Sequence, residues 1–351
     1  METFWFCVVS YMLAMYVILD GFDLGAGIVY LFAGRTEAGR ATIHAAIGPV
    51  WDGNEVWIIA AGGTLYFAFP LLYASSFSGF YLPLMIVLWL LMLRGLGIEM
   101  RHHVSHPMWR SFWDGSFTVG SILLSIFFGA ALGNVVRGVP LNAKGYFFEP
   151  LWTSFTVQPD AGILDWFTVL MGLVGCATLT AHGSNYLAMK TTGEVRERSR
   201  KIAGFAWWAV AAFSAATLAA VSSIRPGIWE NYVLHPWGYL FPFLGLAGLA
   251  GMLVYNRRGK DAAAFMSSAC FIGGMMASTA FGLFPVVLPA STDPSYSLTI
   301  YNTAAGWYGL WVGVVWWVVG ISAATAYFTY LFFKFRGKVV APAGDAHAGA
   351  G

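Results

Sequence analysis

Nine continuous apolar runs, near residues 4 to 33, 50 to 71, 76 to 100, 112 to 136, 162 to 189, 202 to 223, 236 to 255, 262 to 288 and 304 to 333, leave this chain few ways to fold. Crossing about 30 Å of hydrocarbon takes about 20 helical residues, and every run meets that length. Inside a bilayer each backbone N–H and C=O must be satisfied within the spanning structure, which permits helices or closed barrels. Barrel strands would alternate polar and apolar residues over roughly ten positions, and these runs do not alternate. The chain is therefore predicted to be an all-α integral membrane protein with nine transmembrane helices. With 58% hydrophobic and 10% charged residues and a mean hydropathy of +0.66, it has too little polar surface for a water-soluble fold. Residues 1–336 read as a single polytopic transmembrane domain. Residues 337–351, ending in APAGDAHAGAG, read as a short disordered tail.

Lysine and arginine set the orientation. With the N-terminus outside, the inner ends and loops hold Arg35, Arg40, Arg94, Arg101, Arg110, Lys190, Arg196, Arg198, Arg200, Lys201, Arg257, Arg258, Lys260, Lys334, Arg336 and Lys338, and the outer loops hold only Arg137, Lys144 and Arg225. Sixteen of the 19 basic residues on one side is a strong positive-inside signal and places the C-terminus in the cytoplasm. The first run has no basic leader and exceeds a signal-peptide core, so it is expected to remain as a span. The net charge of +2 is spread along one membrane face, a pattern that explains topology; the bilayer is the expected environment and no nucleic-acid partner is expected.

Within these apolar runs the acids stand out. Asp20 and Asp23 in VILDGFDLGAG, and Asp52 and Glu55 in GPVWDGNEVW, are two pairs spaced three apart, so each pair projects from one helix face. The first helix runs inward and the second outward, which brings all four acids to a similar depth in the cytoplasmic half of the membrane. Arg94 and Glu99 approach from the third helix and Asp114 from the fourth. Charges under lipid cost several kcal/mol unless paired, wetted or protonated. Their crowding into one region suggests a polar inlet, with Asp20, Asp23, Asp52 and Glu55 as a proton-uptake route and Arg94 and Glu99 as charge partners. A plainer reading stands beside it: Asp52 and Glu55 answer the positive end of their helix dipole, and Arg94, Glu99 and Asp114 are interfacial. The neighbouring glycines, Gly21, Gly25 and Gly27, then Gly62, Gly63, Gly95 and Gly97, read as close helix packing.

Only His182 lies inside a run; His44, His102, His103, His106, His235 and His347 fall in loops or at run ends. One intramembrane histidine supplies no bis-histidine pair, and Met189 is two turns further along the same helix. No haem or metal is therefore expected to be held by this chain alone, and RHHVSHP reads as a basic interfacial turn. Cys7, Cys176 and Cys270 show no metal or redox spacing and read as small hydrophobes.

Four stretches carry a family resemblance: DGFDLGAG (20–27), GPVWDGNEVWIIAAGGTLYFAFP (48–70) with YASSFSGFY (73–81), GNVVRGVP (133–140) and FPVVLPASTDPSYSLTIYNTAA (284–305). In this order, across nearly the whole chain, the sequence resembles subunit II of cytochrome bd ubiquinol oxidase. The resemblance implies two four-helix bundles plus one extra helix. It implies a respiratory terminal oxidase of the bacterial or archaeal cytoplasmic membrane, electrogenic, which oxidises quinol and reduces dioxygen to water. Subunit I, the partner, would carry two b haems, one d haem and the quinol site, and this chain would have no catalytic residue of its own. Small accessory membrane subunits can attach in such complexes, and some relatives hold a structural quinone in subunit II, for which no residue here is assigned. The acid of the WDGN motif, matched by Asp52, is the first to carry over to a proton path, with Asp20 and Asp23 extending it. Glu55 departs from the glutamine of some relatives. Two other classes remain open: a proton-coupled transporter, which would act without a haem-bearing partner, and a purely structural assembly subunit.

Overall fold

The computed structural model describes residues 1–158 and 161–339. In chain order the helices are α1 (Glu2–Ala33), α2 (Glu37–Ile47), α3 (Trp51–Ala68), α4 (Pro70–Gly79), α5 (Tyr81–Met100), α6 (Pro107–Arg137), α7 (Trp166–Lys190), α8 (Gly193–Ile224), α9 (Glu230–Leu234), α10 (Leu240–Arg257), α11 (Asp261–Leu283) and α12 (Trp307–Lys334). A two-stranded antiparallel hairpin, β1 (Val286–Leu288) with β2 (Leu298–Thr299), lies between α11 and α12.

Among the described residues eight helices are long and apolar enough to cross a membrane: α1, α5, α6, α7, α8, α10 with the turn that precedes it, α11 and α12. The run expected over 50 to 71 forms α3, of 18 residues, and stands outside that set. Asp52, Asn54 and Glu55 dilute its first turns, and its end is set by Pro70. Proline offers no N–H and disfavours helical geometry in the residue before it. Phe69 accordingly leaves the helix at φ −133°, ψ 65°, and Pro70 starts α4. The carbonyl of Ala68 is taken up by the Ala305 N–H at 2.9 Å. The run over 262 to 288 likewise stops as helix at Leu283, and its last residues become β1. The amphipathic α2, inside the 34–49 connection, was not expected from the sequence.

Helix α1 is the axis of the bundle, packing against α3, α6, α7 and α11. Small residues set its approach to α7. A Cβ on Gly25 would come within 2.0 Å of the Leu179 carbonyl oxygen and 2.7 Å of the Gly183 nitrogen, and a Cβ on Gly183 within 2.3 Å of the Gly25 carbonyl carbon. Gly97 of α5 lies against Phe117 of α6, where a Cβ would stand 3.0 Å from its backbone nitrogen. Gly62 and Gly63 differ: among the described residues nothing beyond their own stretch of helix lies within 4 Å of a Cβ at either, so the packing expected of them is not made by those residues. Of the tail expected over 337 to 351, residues 340–351 lie outside the described residues. The Val339 N–H bonds the Lys190 carbonyl at 2.6 Å and Lys338 Nζ bonds that of Thr191 at 3.1 Å, so the chain is still held at 339.

Replacing Gly25 with valine should part α1 from α7 at a cost of at least about 1–3 kcal/mol. The Gly63→Ala variant should keep the wild-type melting profile of the isolated chain. Thermal unfolding of the two purified variants checks the contrast.

Candidate functional site: an intramembrane charge cluster around α1

Asp20 and Asp23 are fully buried, and each finds a different partner. Arg94, buried on α5, grips Asp20 with both terminal nitrogens, Nη1 to Oδ2 at 3.0 Å and Nη2 to Oδ1 at 2.5 Å. Asn54, buried on α3, donates from Nδ2 to Asp23 Oδ2 at 2.7 Å. The first two motifs quoted above therefore meet through side chains. Glu55, half-buried, stands 4.0 Å from Arg94 Nη1. Asp52 is exposed on the outer side of α3 and Glu99 on that of α5, and among the described residues neither makes an ion pair. The structure thus brings together Asp20, Asp23, Glu55 and Arg94, with Asp52 at their outer edge and Glu99 apart. Sequence reading missed Asn54, although its position two residues after Asp52 turns it to the opposite face. Asp23 Oδ1, Asn54 Oδ1 and Arg94 Nε are buried without a hydrogen-bond partner among the described residues.

A second cluster lies toward the end of the bundle where α1 finishes and α6 begins. Asp114 accepts from the Tyr30 hydroxyl at 2.7 Å, Arg101 Nε at 2.5 Å and Arg40 Nη1 at 2.8 Å. Arg101 Nη2 also bonds both oxygens of Glu37 at 2.9 Å, and Arg110 joins them at 3.1 Å. The interfacial reading fails for Asp114, which is 1% exposed, and these bonds clamp α2 onto the bundle. His44 of α2 is buried against Tyr30 and Phe117. Burial, reinforced by Arg101, lowers its ring to about 3 and leaves it neutral.

At the opposite end, Arg137 of α6 bonds Glu149 and Asp165, and also Asn134 Oδ1 at 2.7 Å and the Gly162 carbonyl at 3.1 Å. Asp165 is at once the N-cap of α7, accepting from the N–H groups of Phe167 at 2.7 Å and Thr168 at 3.0 Å. One cation therefore faces two buried carboxylates. Removal from water pushes the Glu149 carboxyl up to about 7, against the pull of Arg137. Neither was read from the sequence: Asp165 falls inside the run taken over 162 to 189, although an aspartate before the helix that begins at Trp166 is a capping signal, and the members of the triad are separated in sequence. Close by, Val139 of GNVVRGVP pairs with the strand region after α11, its N–H on the Pro289 carbonyl at 2.9 Å, so the third and fourth motifs also meet.

His182 uses both ring nitrogens, Nε2 toward the Ile18 carbonyl at 2.8 Å and Nδ1 toward Ser268 Oγ at 2.7 Å. Among the described residues no group of three histidines, cysteines or acids could hold a metal.

These features define a multi-pass helical membrane protein whose acids within the long apolar runs are gathered in the first part of the chain. The chain belongs to the cytochrome bd terminal oxidase subunit II family, whose model matches residues 1–335. It is 30% identical to the cytochrome bd-I ubiquinol oxidase subunit 2 of Escherichia coli K12 over 95% of this chain and 94% of that one. Identity is also 30% to the probable cytochrome oxidase subunit 2 of Haemophilus influenzae, with the same coverage. The cytochrome bd ubiquinol oxidase subunit 2 of Bacillus subtilis is again 30% identical, over 87% of each chain. The fold is shared with the bd oxidase of Geobacillus thermodenitrificans, at a TM-score of 0.73 and 17% identity over 96% of this chain and 99% of that one. The family is that of a respiratory terminal oxidase, an oxidoreductase complex that carries haem, and the chain is a multi-pass protein of the bacterial membrane.

Two outcomes follow from the geometry. Arg94→Gln leaves Asp20 buried and unpaired and should destabilise the chain by about 3–5 kcal/mol, whereas Arg94→Leu combined with Asp20→Leu should recover most of that loss; thermal unfolding of the three variants tests it. Glu149 holds its proton more tightly folded than unfolded, where the value is 4.5. Its contribution to stability is therefore full below about 4.5 and lost as pH rises through about 7. Melting temperatures across that window should fall in the wild type, and the fall should flatten in Glu149→Gln.

Proposed function

We propose that this chain is the haem-free subunit II of a cytochrome bd-type quinol oxidase, that it supports a haem-bearing subunit I, and that it lines part of a proton-uptake path from the cytoplasm. In this reading the complex, in the bacterial cytoplasmic membrane, oxidises quinol and reduces dioxygen to water, and subunit I carries the haems and the quinol site. Helix α3 serves as a ninth span. Then α1, α3, α5 and α6 form one four-helix group, α7, α8, α10 and α11 the other, and α12 is the extra helix, with the N-terminus outside.

The observation that carries the path is the gradation of the four acids. Asp52 is exposed, Glu55 half-buried, and Asp20 and Asp23 fully buried. An exposed carboxylate near the start of a span needs a neighbour to hydrate or pair it, and a partner subunit against α3 would supply one. The bare Gly62 and Gly63 on the same helix suit such an approach. The orphaned oxygens of Asp23 and Asn54 and the Nε of Arg94 are the groups that water along a path would satisfy. Asp20 takes a different part: its bidentate pair with Arg94 is complete without a proton, which suits a fixed anchor beside the path. Asp23, with one oxygen free, is the inner relay.

Replacing Asp52 with asparagine in the assembled complex should slow oxygen consumption several-fold while haem content, read from the optical spectrum, stays near normal. Loss of haem together with activity would make Asp52 an assembly residue. Normal turnover would remove it from the path.

A further inference from the structure

A slot of about 520 Å³ opens where α1, α2, α7, α11 and α12 come together at the end of the bundle that holds α2. Its walls are apolar and include Ile18, Phe22, Phe265, Ala269 and Phe332. Ala269 lies eight residues after the start of α11, a depth of about 12 Å at the helical rise. The slot therefore reaches well below the level of the helix ends.

Its mouth has the opposite chemistry. Lys190, Arg336 and Lys338 stand around it. Lys190 Nζ bonds the Phe335 carbonyl at 2.6 Å, and the Arg336 guanidinium lies over the Phe333 ring at 4.1 Å. Among the described residues neither makes an ion pair. Lys338 Nζ is 4.0 Å from Asp261, but that carboxylate is already held by Arg196 at 2.8 Å and Arg200 at 3.6 Å. Three cations thus share a rim with one oversubscribed acid, above an apolar slot at the ends of the apolar helices α7 and α12.

We infer that the slot is a binding site for one anionic phospholipid, with an acyl chain against Ile18, Phe265 and Ala269 and the phosphate among Lys190, Arg336 and Lys338. Basic pockets between spans recognise such headgroups by charge, and here the apolar depth adds a requirement for a chain. The site is not part of the acid cluster. It rests only on the chain spanning a membrane, so its failure and that of the proton reading are separable.

The test uses the intact purified complex in nanodiscs of phosphatidylcholine into which phosphatidylglycerol with the same acyl chains is titrated, with bound lipid counted by native mass spectrometry. One phosphatidylglycerol should be retained in preference to phosphatidylcholine. The preference should fall about fivefold for each cation removed in Arg336→Gln and in Arg336→Gln with Lys338→Gln. Ala269→Phe, which narrows the slot and leaves the rim intact, should lower retention of phosphatidylglycerol. Equal retention of the two lipids by the wild type overturns the proposal, as does undiminished retention in Ala269→Phe. Displacement of the lipid by inorganic phosphate at equal concentration would overturn the part assigned to the acyl chain.

Discussion

A carboxylate carried into hydrocarbon must be cancelled, hydrated or protonated, and α1 carries two of them with no basic residue of its own within its span. Their partners come from elsewhere in the chain: Arg94 from α5 for Asp20 and Asn54 from α3 for Asp23. Two polar contacts therefore set the height and rotation of α3 beside α1 and tie α5, which packs on α6, to the same level, which apolar packing between helices in lipid does only weakly. Gly25 and Gly183 complete the arrangement from the other side by letting α7 approach to backbone contact. The bundle is organised from this axis outward.

The same constraint divides the molecule. Charge inside the spans is concentrated on α1, α3, α5 and α6, where it is paired around Asp20 and around Asp114 and exposed at Asp52 and Glu99. On the second half of the chain the buried polar contacts are neutral, as at His182 with Ser268 and the Ile18 carbonyl. Helix α12 is left almost wholly uncovered by the rest of the chain. At the two ends of the bundle the loops are closed differently, by the Asp114 and Arg101 network that clamps α2 and by the Arg137 triad that ties the 138–165 connection to α7.

Much of this was legible in order of residues. Continuous apolar runs located eight long helices, most to within a few residues, but α8 begins at Gly193, nine residues before its run, Pro70 divides a run and another ends as helix before Pro285. The spacing of Asp20 with Asp23 marked a polar face, and four motifs pointed to the family. Periodicity says that a residue faces inward or outward but not what it faces. For that reason Asp52 and Asn54, two positions apart, could not be ranked, and the acid named first for the proton path is the exposed one. Arg137, read as a loop cation, is 7% exposed and holds two acids, because Glu149 and Asp165 return to it from positions 12 and 28 residues away.

The sequence by itself determined the environment, the helical class and the family, because each is set by properties that add along the chain: apolar length, charge bias and motif order. Only the tertiary structure decided which carboxylate is paired, which is capped and which is left facing outward. Those outcomes depend on distances of a few ångströms between helices far apart in sequence, where Coulomb attraction and hydrogen bonding rise or vanish over a single side chain's reach.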